Sequence, residues 1–298
     1  MSGISWTQAT WNPVTGCDRV SPGCDHCYAL RMAGRLKAMG SPKYQRDGRT
    51  SRSGPGFAVT AHPDTLSLPL RWRTPKRIFV NSMSDLFHSD LEADFVAAVF
   101  AVMACTPRHT YQVLTKRPGR ARSLLSSPAF RNLVNQAAEQ SPANVRAAYD
   151  PTAWPLPNLW LGVSAENDHW AAVRIPVLLQ TPAAIRWASL EPLIGPVDLR
   201  PGEWVHDEEC LRRNDCQCLP TQQHLDWVVV GGESGPDARP CEPEWVRQIR
   251  DTCDAGGVAF YFKQWSGPTP RRGGCLLDGR LCEAYPTRPA AHRRGGQA

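Results

Sequence analysis

The chain has 298 residues, of which 42% are hydrophobic and 21% are charged, and its formal net charge is +6. This composition is typical of a globular protein with a large core and excludes a chain that is disordered throughout. No run of 18 apolar residues occurs, and the first residues lack the basic and apolar segments of a signal peptide, so we expect a cytoplasmic protein without a membrane span.

The predicted strands are short, nearly continuous apolar runs. A first strand is expected around residues 11–15, and further runs occur at residues 77–80, 110–114, 159–163, 185–188, 227–230 and 258–262. Helix-like segments lie between them at residues 90–103, 118–125, 168–179 and 242–255. Strands that are apolar on both faces and alternate with helices are typical of parallel α/β folds, either barrels or doubly wound sheets. Of these we expect a partial or near-complete parallel (β/α) barrel of the TIM type.

We expect one domain over residues 1–265. Two segments interrupt the alternation of strands and helices: a Pro- and Ala-rich stretch at about 136–157 and a polar stretch at about 200–225. The tail over residues 266–298 is rich in Gly, Pro and Arg, so we expect it to be irregular and partly disordered.

Six of the predicted strands end in polar clusters. Active sites of parallel α/β folds lie at the carboxyl ends of their strands, so these clusters predict one shared pocket. We expect Glu191 in this pocket, and we take Asp85, Glu233 and Lys263 as further catalytic candidates. For these three, a helix cap, a tight turn and a solvated barrel rim are the competing structural interpretations.

The strongest motif is a group of three cysteines after the first predicted strand. Cys17, Cys24 and Cys27 have the spacing C-x6-C-x2-C. Eleven cysteines without a secretory signal do not indicate a disulfide framework, so metal or cluster ligation is the working hypothesis. Three thiolates on one loop can hold three irons of a 4Fe-4S cluster and leave the fourth iron open. A zinc site completed by a neighbouring Asp or His, and thiols without a ligand, remain alternatives.

The cysteine loop follows the first predicted strand, TKRP follows the third and SLEP follows the fifth. This arrangement resembles the radical SAM superfamily, in particular its spore photoproduct lyase-like branch. The usual superfamily spacing is C-x3-C-x2-C, and this chain has three more residues between the first two cysteines. The resemblance implies that Lys116 and Ser164 bind the methionyl group of S-adenosyl-L-methionine (SAM). It further implies cofactor-binding roles for Ser82 or Ser84 after the second strand, and for Tyr28 or His26 beside the last cysteine.

Still closer is a family of phage- and bacterium-encoded proteins with a three-Cys motif and unassigned activity. The shared motifs extend over about residues 5–266 and are WNP-x-TGC, C-x2-CYA, NSMSDLFH, LTKRP, LGVS-x-E, EPL-x-GP, VVVGGESG and FKQW. The resemblance says little about the substrate.

The superfamily resemblance implies an enzyme with a 4Fe-4S cluster and SAM as cofactors and an external electron donor. The open iron chelates SAM, an electron from the reduced cluster cleaves it to methionine and a 5′-deoxyadenosyl radical, and the radical abstracts a hydrogen atom. We favour DNA, RNA or a nucleotide as substrate, because the branch repairs DNA, the related family is phage-associated, and only five of the 34 basic residues are lysine. A coding bias towards arginine explains the last observation equally well. A partner protein encoded by a neighbouring gene is a further possibility.

A second cysteine group lies in the polar insertion. Cys210, Cys216 and Cys218 could hold zinc or a second cluster, or be unliganded loop thiols. The residues available to complete such a site are His206, His224, Cys241, Cys275 and Cys282. Cys105, at the end of an apolar helix, is expected in the core.

The alternative function is a zinc- or cluster-bearing nucleic-acid-binding protein without catalysis. In this hypothesis, some of the eleven tryptophans lie at strand ends and stack on bases.

Overall fold

The computed structural model describes residues 4–206, 223–270 and 272–287. Its centre is a parallel sheet of seven strands arranged in chain order, which curls into a half-barrel with β1 and β9 at its two edges. The strands of this sheet are β1 (Ala9–Trp11), β4 (Arg77–Val80), β5 (Thr110–Thr115), β6 (Leu159–Ser164), β7 (Ile185–Leu190), β8 (Trp227–Gly231) and β9 (Ala259–Gln264). The predicted class, a partial parallel (β/α) barrel with irregular insertions, is confirmed.

The expected first strand at residues 11–15 is divided in two. Ala9–Trp11 pairs with β4 in the main sheet, whereas β2 (Val14–Thr15) pairs with β3 (Thr60–Ala61) in a separate antiparallel sheet. The division falls at Pro13, which has no N–H to donate to a sheet ladder.

Helices connect the strands on the outside of the sheet. They are α1 (Tyr28–Ala38), α2 (Leu68–Arg71), α3 (Ala93–Ala104), α4 (Pro118–Leu125), α5 (Pro128–Glu139), α6 (Ala143–Arg146), α7 (Asp168–Leu179) and α8 (Pro243–Ala255). The predicted helices at 118–125 and 168–179 are confirmed, and the helix expected from residue 90 begins at Ala93, after Glu92. The expected excursion at 136–157 contains the end of α5 and all of α6. Within the described residues, no helix is long and apolar enough to cross a membrane.

Aromatic side chains fill the interior of the half-barrel at the amino ends of its strands. The Trp6 ring meets those of Phe79 and Trp187 edge to face, with centroids 4.8 and 5.2 Å apart, and Trp227 lies 5.1 Å from Trp187. Gly162 makes room for this cluster, since a Cβ atom there would lie 2.4 Å from the Trp187 indole.

All eleven tryptophans are therefore buried or half-buried. Six of them are buried in the core. The other five are half-buried, including Trp265 directly after β9, so the hypothesis that tryptophans at strand ends stack on bases stays a prediction.

The described part of the tail has no helix or strand, as expected, yet some of it packs against the barrel. The Phe262 N–H donates to the carbonyl of Cys282 (2.7 Å), so the tail runs along the edge strand β9. Tyr285 then reaches the aromatic floor, with its ring 5.5 Å from that of Trp227 and the Arg77 guanidinium 4.2 Å above it.

Candidate functional site

A cavity of about 610 Å³ opens at the carboxyl ends of the strands. Its floor is apolar and includes Trp6, Phe79 and Leu114. Apart from Glu233 and His26, every residue that the sequence analysis placed in the site lines this cavity: Cys17, Cys24, Cys27, Tyr28, Ser82, Ser84, Asp85, Lys116, Ser164, Glu191 and Lys263. The strand-end clusters therefore do form one pocket, as predicted from their positions in the sequence.

The three cysteines lie on the loop that connects β2 to α1. Cys24 ends a short 3-10 turn (Pro22–Cys24), and Cys27 immediately precedes α1. The Cys27 N–H donates to the carbonyl of Cys24 (3.3 Å), and this hydrogen bond holds the backbone of the last two cysteines close together. All three are free thiols that face the cavity.

A buried ion pair behind β6 holds the middle of this loop. Glu166 accepts a hydrogen bond from the Gly23 N–H (3.2 Å) and pairs with Arg174 (3.1 Å). Both charged side chains are 1% exposed or less, and Arg174 also donates to the Ser164 carbonyl (2.7 Å). A Cβ atom at position 23 would lie 3.0 Å from the Glu166 carboxylate, so a larger residue there would have to displace this carboxylate by a few tenths of an ångström. The loop is thus fixed from the end of β6.

A second anchor comes from the end of β8. The Glu233 carboxylate lies 2.9 Å from His26 Nδ1 and accepts three hydrogen bonds from Arg239, the shortest 2.6 Å long. Arg239 also donates to the Pro22 carbonyl (3.0 Å). Glu233 therefore binds the back of the cysteine loop, and this position favours a structural role over the catalytic role considered from the sequence.

Hydrogen bonding strongly affects the acidity of Glu233. Burial on its own would raise the pKa of this carboxyl group, but the hydrogen bonds from Arg239 and His26 outweigh burial and lower the pKa to about 2. Glu233 is therefore a carboxylate at neutral pH and stabilises a cation beside the cysteine loop.

Cys17 lies beside a half-buried cation. The Arg117 guanidinium donates to Cys17 Sγ (3.4 Å) and to the Asp85 carboxylate (3.3 Å). Burial and the Asp85 charge raise the pKa of the Cys17 thiol to about 12, although Arg117 acts in the opposite direction. Asp85 also accepts hydrogen bonds from the Thr115 hydroxyl (2.8 Å) and the Lys116 N–H (3.0 Å). Through these hydrogen bonds Asp85 holds the loop after β5 in place.

Four polar side chains form a row across the cavity mouth. Lys116 Nζ lies 2.5 Å from Ser164 Oγ, which donates to the carbonyl of Glu191 (3.2 Å). Lys263 Nζ lies 2.5 Å from the carboxylate of Glu191. The row links the ends of β5, β6, β7 and β9, and each of its amines lies at hydrogen-bond distance from an oxygen.

The remaining predicted cofactor-binding residues follow β4 or begin α1. The Ser82 hydroxyl is 3.2 Å from the Asn12 side-chain oxygen, and the Ser84 hydroxyl donates to the Val14 carbonyl (2.9 Å). Tyr28 is 53% exposed at the cavity, whereas His26 is turned towards Glu233. Of the two candidates beside the last cysteine, Tyr28 is therefore the one that lines the cavity.

The sequence matches a family described as protein of unknown function (DUF5131) over residues 1–286. The chain belongs to this family. No curated protein and no solved structure matches the sequence. The match to DUF5131 covers the cysteine loop, all nine strands of the described chain and every residue that lines the cavity.

The cysteine loop of this DUF5131 protein supplies thiols that a metal group could use, but it is not a preformed metal site. Among the described residues, no group of three or more His, Cys, Asp or Glu side chains is arranged to hold a metal ion. A zinc site would need its ligands to converge within about 2.3 Å of one point. A 4Fe-4S cluster spreads its ligands over different irons and needs thiolates, which three free cysteines on one side of a cavity can supply.

The second cysteine group of this DUF5131 protein falls outside the described residues, since Cys210, Cys216 and Cys218 all lie within 207–222. The two histidines that flank this segment are close together, with the ring centroids of His206 and His224 3.9 Å apart. Among the later cysteines, Cys241 is buried and Cys275 and Cys282 are half-buried; all three are free thiols. The expected core position of Cys105 is confirmed, with 1% of the residue exposed.

Sequence reasoning missed three residues that shape the DUF5131 site: Arg117, Glu166 and Arg239. Arg117 and Glu166 belong to the motifs TKRP and LGVS-x-E, in which only the neighbouring lysine and serine were predicted to be site residues. A signal for them was thus present, because each is a charged residue directly after an apolar strand.

Proposed function

We propose that this protein is a radical SAM-type iron–sulfur enzyme that acts on a nucleic acid or nucleotide. The observation that carries the proposal is that three free thiols of one loop share a cavity with the Lys116–Ser164 pair at the carboxyl ends of the strands. When bound, a reduced cluster supplies one electron to SAM, which breaks into methionine and a 5′-deoxyadenosyl radical that takes a hydrogen atom from the substrate.

The protein's own residues supply binding and orientation. Lys116 is a compact cation that suits a carboxylate such as that of the SAM methionyl group, and Ser164 holds its amine at 2.5 Å. Cys17, Cys24 and Cys27 would hold the cluster in the same cavity. A cavity of about 610 Å³ is within the usual range for small-molecule sites.

The apolar floor of the cavity and the Glu191–Lys263 ion pair have separate roles. Trp6, Phe79 and Leu114 exclude water below the site, which protects a reactive species from solvent. Glu191 and Lys263 can bind a polar group of the substrate, since their charged atoms are 2.5 Å apart and line the cavity. An external electron donor and a partner protein encoded nearby remain predictions.

The test is anaerobic reconstitution with iron and sulfide, followed by iron and zinc analysis and low-temperature EPR with and without SAM. We expect about four irons per chain and a reduced-cluster signal that SAM shifts. The variant Cys24→Ala should lose the cluster. The matched control Cys105→Ala removes a buried thiol in the core and should retain it.

Zinc without a stable iron cluster would contradict the radical enzyme and favour a non-catalytic zinc- or cluster-bearing nucleic-acid-binding protein. Full iron content in Cys24→Ala would show that the cysteine motif is not the ligand set. About eight irons per chain would indicate a second cluster and direct attention to the later cysteines.

A further inference from the structure

The segment between α1 and β3 is fastened directly to the cysteine loop. The Ser53 hydroxyl donates to the Cys17 carbonyl (2.8 Å), and the Arg19 N–H donates to the carbonyl of Arg52 (2.8 Å). The two backbones approach so closely that a Cβ atom on Gly16 would lie 2.1 Å from the carbonyl oxygen of Ala58. The backbone of this segment therefore has a defined position beside the cysteine loop.

Four exposed arginines cluster there, and we call them the arginine surface: Arg19, Arg46, Arg49 and Arg52. Arg49 and Arg52 belong to one turn, in which the Arg52 N–H donates to the Arg49 carbonyl (3.0 Å). The Arg49 guanidinium lies 3.6 Å from the Asp90 carboxylate, and both side chains are about half exposed. The other three form no ion pair with any described residue within 4 Å, so most of this positive charge is not neutralised by the protein.

The nearby carboxylates have other partners. Asp47 binds Lys37 (2.6 Å) and the Gly56 N–H (2.7 Å), and Asp18 lies 3.6 Å from the buried His88. The arginine surface consequently offers at least three guanidinium groups to an external anion.

The chemistry around these arginines indicates which anion. Residues 45–54 contain no apolar side chain, and the exposed Thr50 and Ser51 lie between Arg49 and Arg52. A protein partner would need apolar anchors at the centre of its interface. Val20, beside Arg19, is the one exposed large apolar side chain within residues 18–20 and 45–54. Guanidinium and hydroxyl groups are the side chains that bind phosphate oxygens of a nucleic-acid backbone.

We propose that the arginine surface binds the phosphodiester backbone of a polynucleotide and guides it to the cavity. The two are continuous, because Arg19 stands between Asp18 and Val20, which both line the cavity. A backbone held on this surface would place a sugar or base over the mouth of the site. The guiding role rests on the proposed function, whereas phosphate binding does not.

The experiment compares two triple variants of the full-length protein. Arg19→Gln, Arg46→Gln and Arg52→Gln together remove three charges from the arginine surface. Binding of a fluorescein-labelled single-stranded DNA of 20 nucleotides is followed by anisotropy at several salt concentrations, and the same measurement is made with RNA. We expect the variant to bind at least tenfold more weakly and to lose about two units of the slope of log K against log salt, as three lost phosphate contacts require.

The matched control removes the same charge elsewhere, through Arg73→Gln, Arg146→Gln and Arg280→Gln, all exposed and outside the cavity. It should bind like the wild type with a nearly unchanged slope. Circular dichroism and melting curves confirm that both triples are folded.

Three outcomes would overturn the proposal: no binding by the wild type, an equal loss in both triples, or competition by a polyglutamate peptide as effective as that by DNA of equal charge. The last would identify an acidic protein as the partner. Because binding is measured independently of iron content, selective loss in the first triple supports the surface even if no cluster assembles. A cluster that assembles without nucleic-acid binding would support the proposed function and contradict this inference.

Discussion

The Arg117 guanidinium lies between the Cys17 sulfur and the Asp85 carboxylate, 3.4 Å from one and 3.3 Å from the other. Asp85 is buried and also accepts from the Thr115 hydroxyl and the Lys116 N–H, so it fixes the direction in which the guanidinium points. A cation held against a sulfur stabilises added negative charge on that sulfur and on any metal bound to it. Arg117 is therefore a positioning residue with an electronic effect.

From this relationship we predict that Arg117→Met lowers the reduction potential of the reconstituted cluster. Hydrogen bonds and positive charge near ligand sulfurs favour the reduced state, and the variant removes both. The potential is measured by redox titration monitored by EPR. Arg122→Met, on the exposed side of the same helix, is the control and should leave the potential unchanged. Equal potentials in the wild type and Arg117→Met would refute the prediction.

We predict that Lys116→Met weakens SAM binding about tenfold or more without loss of iron. The lysine lies in the cavity, and a charge-assisted hydrogen bond to a ligand carboxylate contributes about 1.5–3 kcal/mol. Equilibrium dialysis with labelled SAM measures the effect on reconstituted protein. Lys43→Met changes a lysine outside the cavity, 3.7 Å from Asp64, and should bind SAM normally. Unchanged affinity in Lys116→Met would exclude Lys116 from the SAM site.

The low pKa of Glu233 predicts a pH-dependent contribution to stability. Because its folded pKa of about 2 is below the unfolded value of about 4.3, the carboxylate stabilises the fold above pH 4.3, and this contribution is lost as the pH falls towards 2. Glu233→Gln should therefore reduce the free energy of unfolding at pH 7 by on the order of 2 kcal/mol, and the difference from wild type should shrink between pH 4.3 and 2.

Urea unfolding at several pH values measures this difference. Glu244→Gln, at an exposed carboxylate on α8, is the control and should show no comparable dependence. If the Glu233→Gln deficit were the same at pH 3 and pH 7, the contacts with Arg239 and His26 would not be the source of the stabilisation.

The close approach of Gly162 to Trp187 predicts a steric effect on stability. An alanine Cβ would lie 2.4 Å from an indole that is fully buried, so the fold must shift, at a cost of about 1–3 kcal/mol. Gly34→Ala, in α1 with no atom within 4 Å of the new methyl group, should instead stabilise by about 0.5–1 kcal/mol. Denaturant unfolding distinguishes them, and a neutral Gly162→Ala would show that Trp187 can move aside.

Much of the fold could be predicted because its strands are buried on both faces and are visible as apolar runs. Predicted strands such as 77–80 and 227–230 coincide with observed ones to within a residue. The break at Pro13 could not be foreseen from apolarity, since Trp11 and Val14 are equally buried. Composition likewise gives the number of tryptophans, but it does not show which of them the folded chain buries in its core.

The candidate site was predictable where it depends on strand ends and unpredictable where it depends on long-range pairing. Lys116 and Ser164 follow their strands directly. Gly23 and Glu166 are separated by 143 residues, so no local pattern indicates that they meet. Glu233 was placed at the correct strand end, but its partner His26 lies on a loop whose path only the folded chain reveals.

The last described residues have a consequence for the order of events during synthesis. Tyr285 bridges Arg77 on β4 and Trp227 on β8. Three strands lie between β4 and β8, so the two residues can be joined only when the sheet is curled. A chain emerging from the ribosome can pair its strands one after another, since their spatial order is the order of translation. This contact forms only after residue 285 emerges, so the final curvature of the half-barrel is reached only after all seven strands have been synthesised.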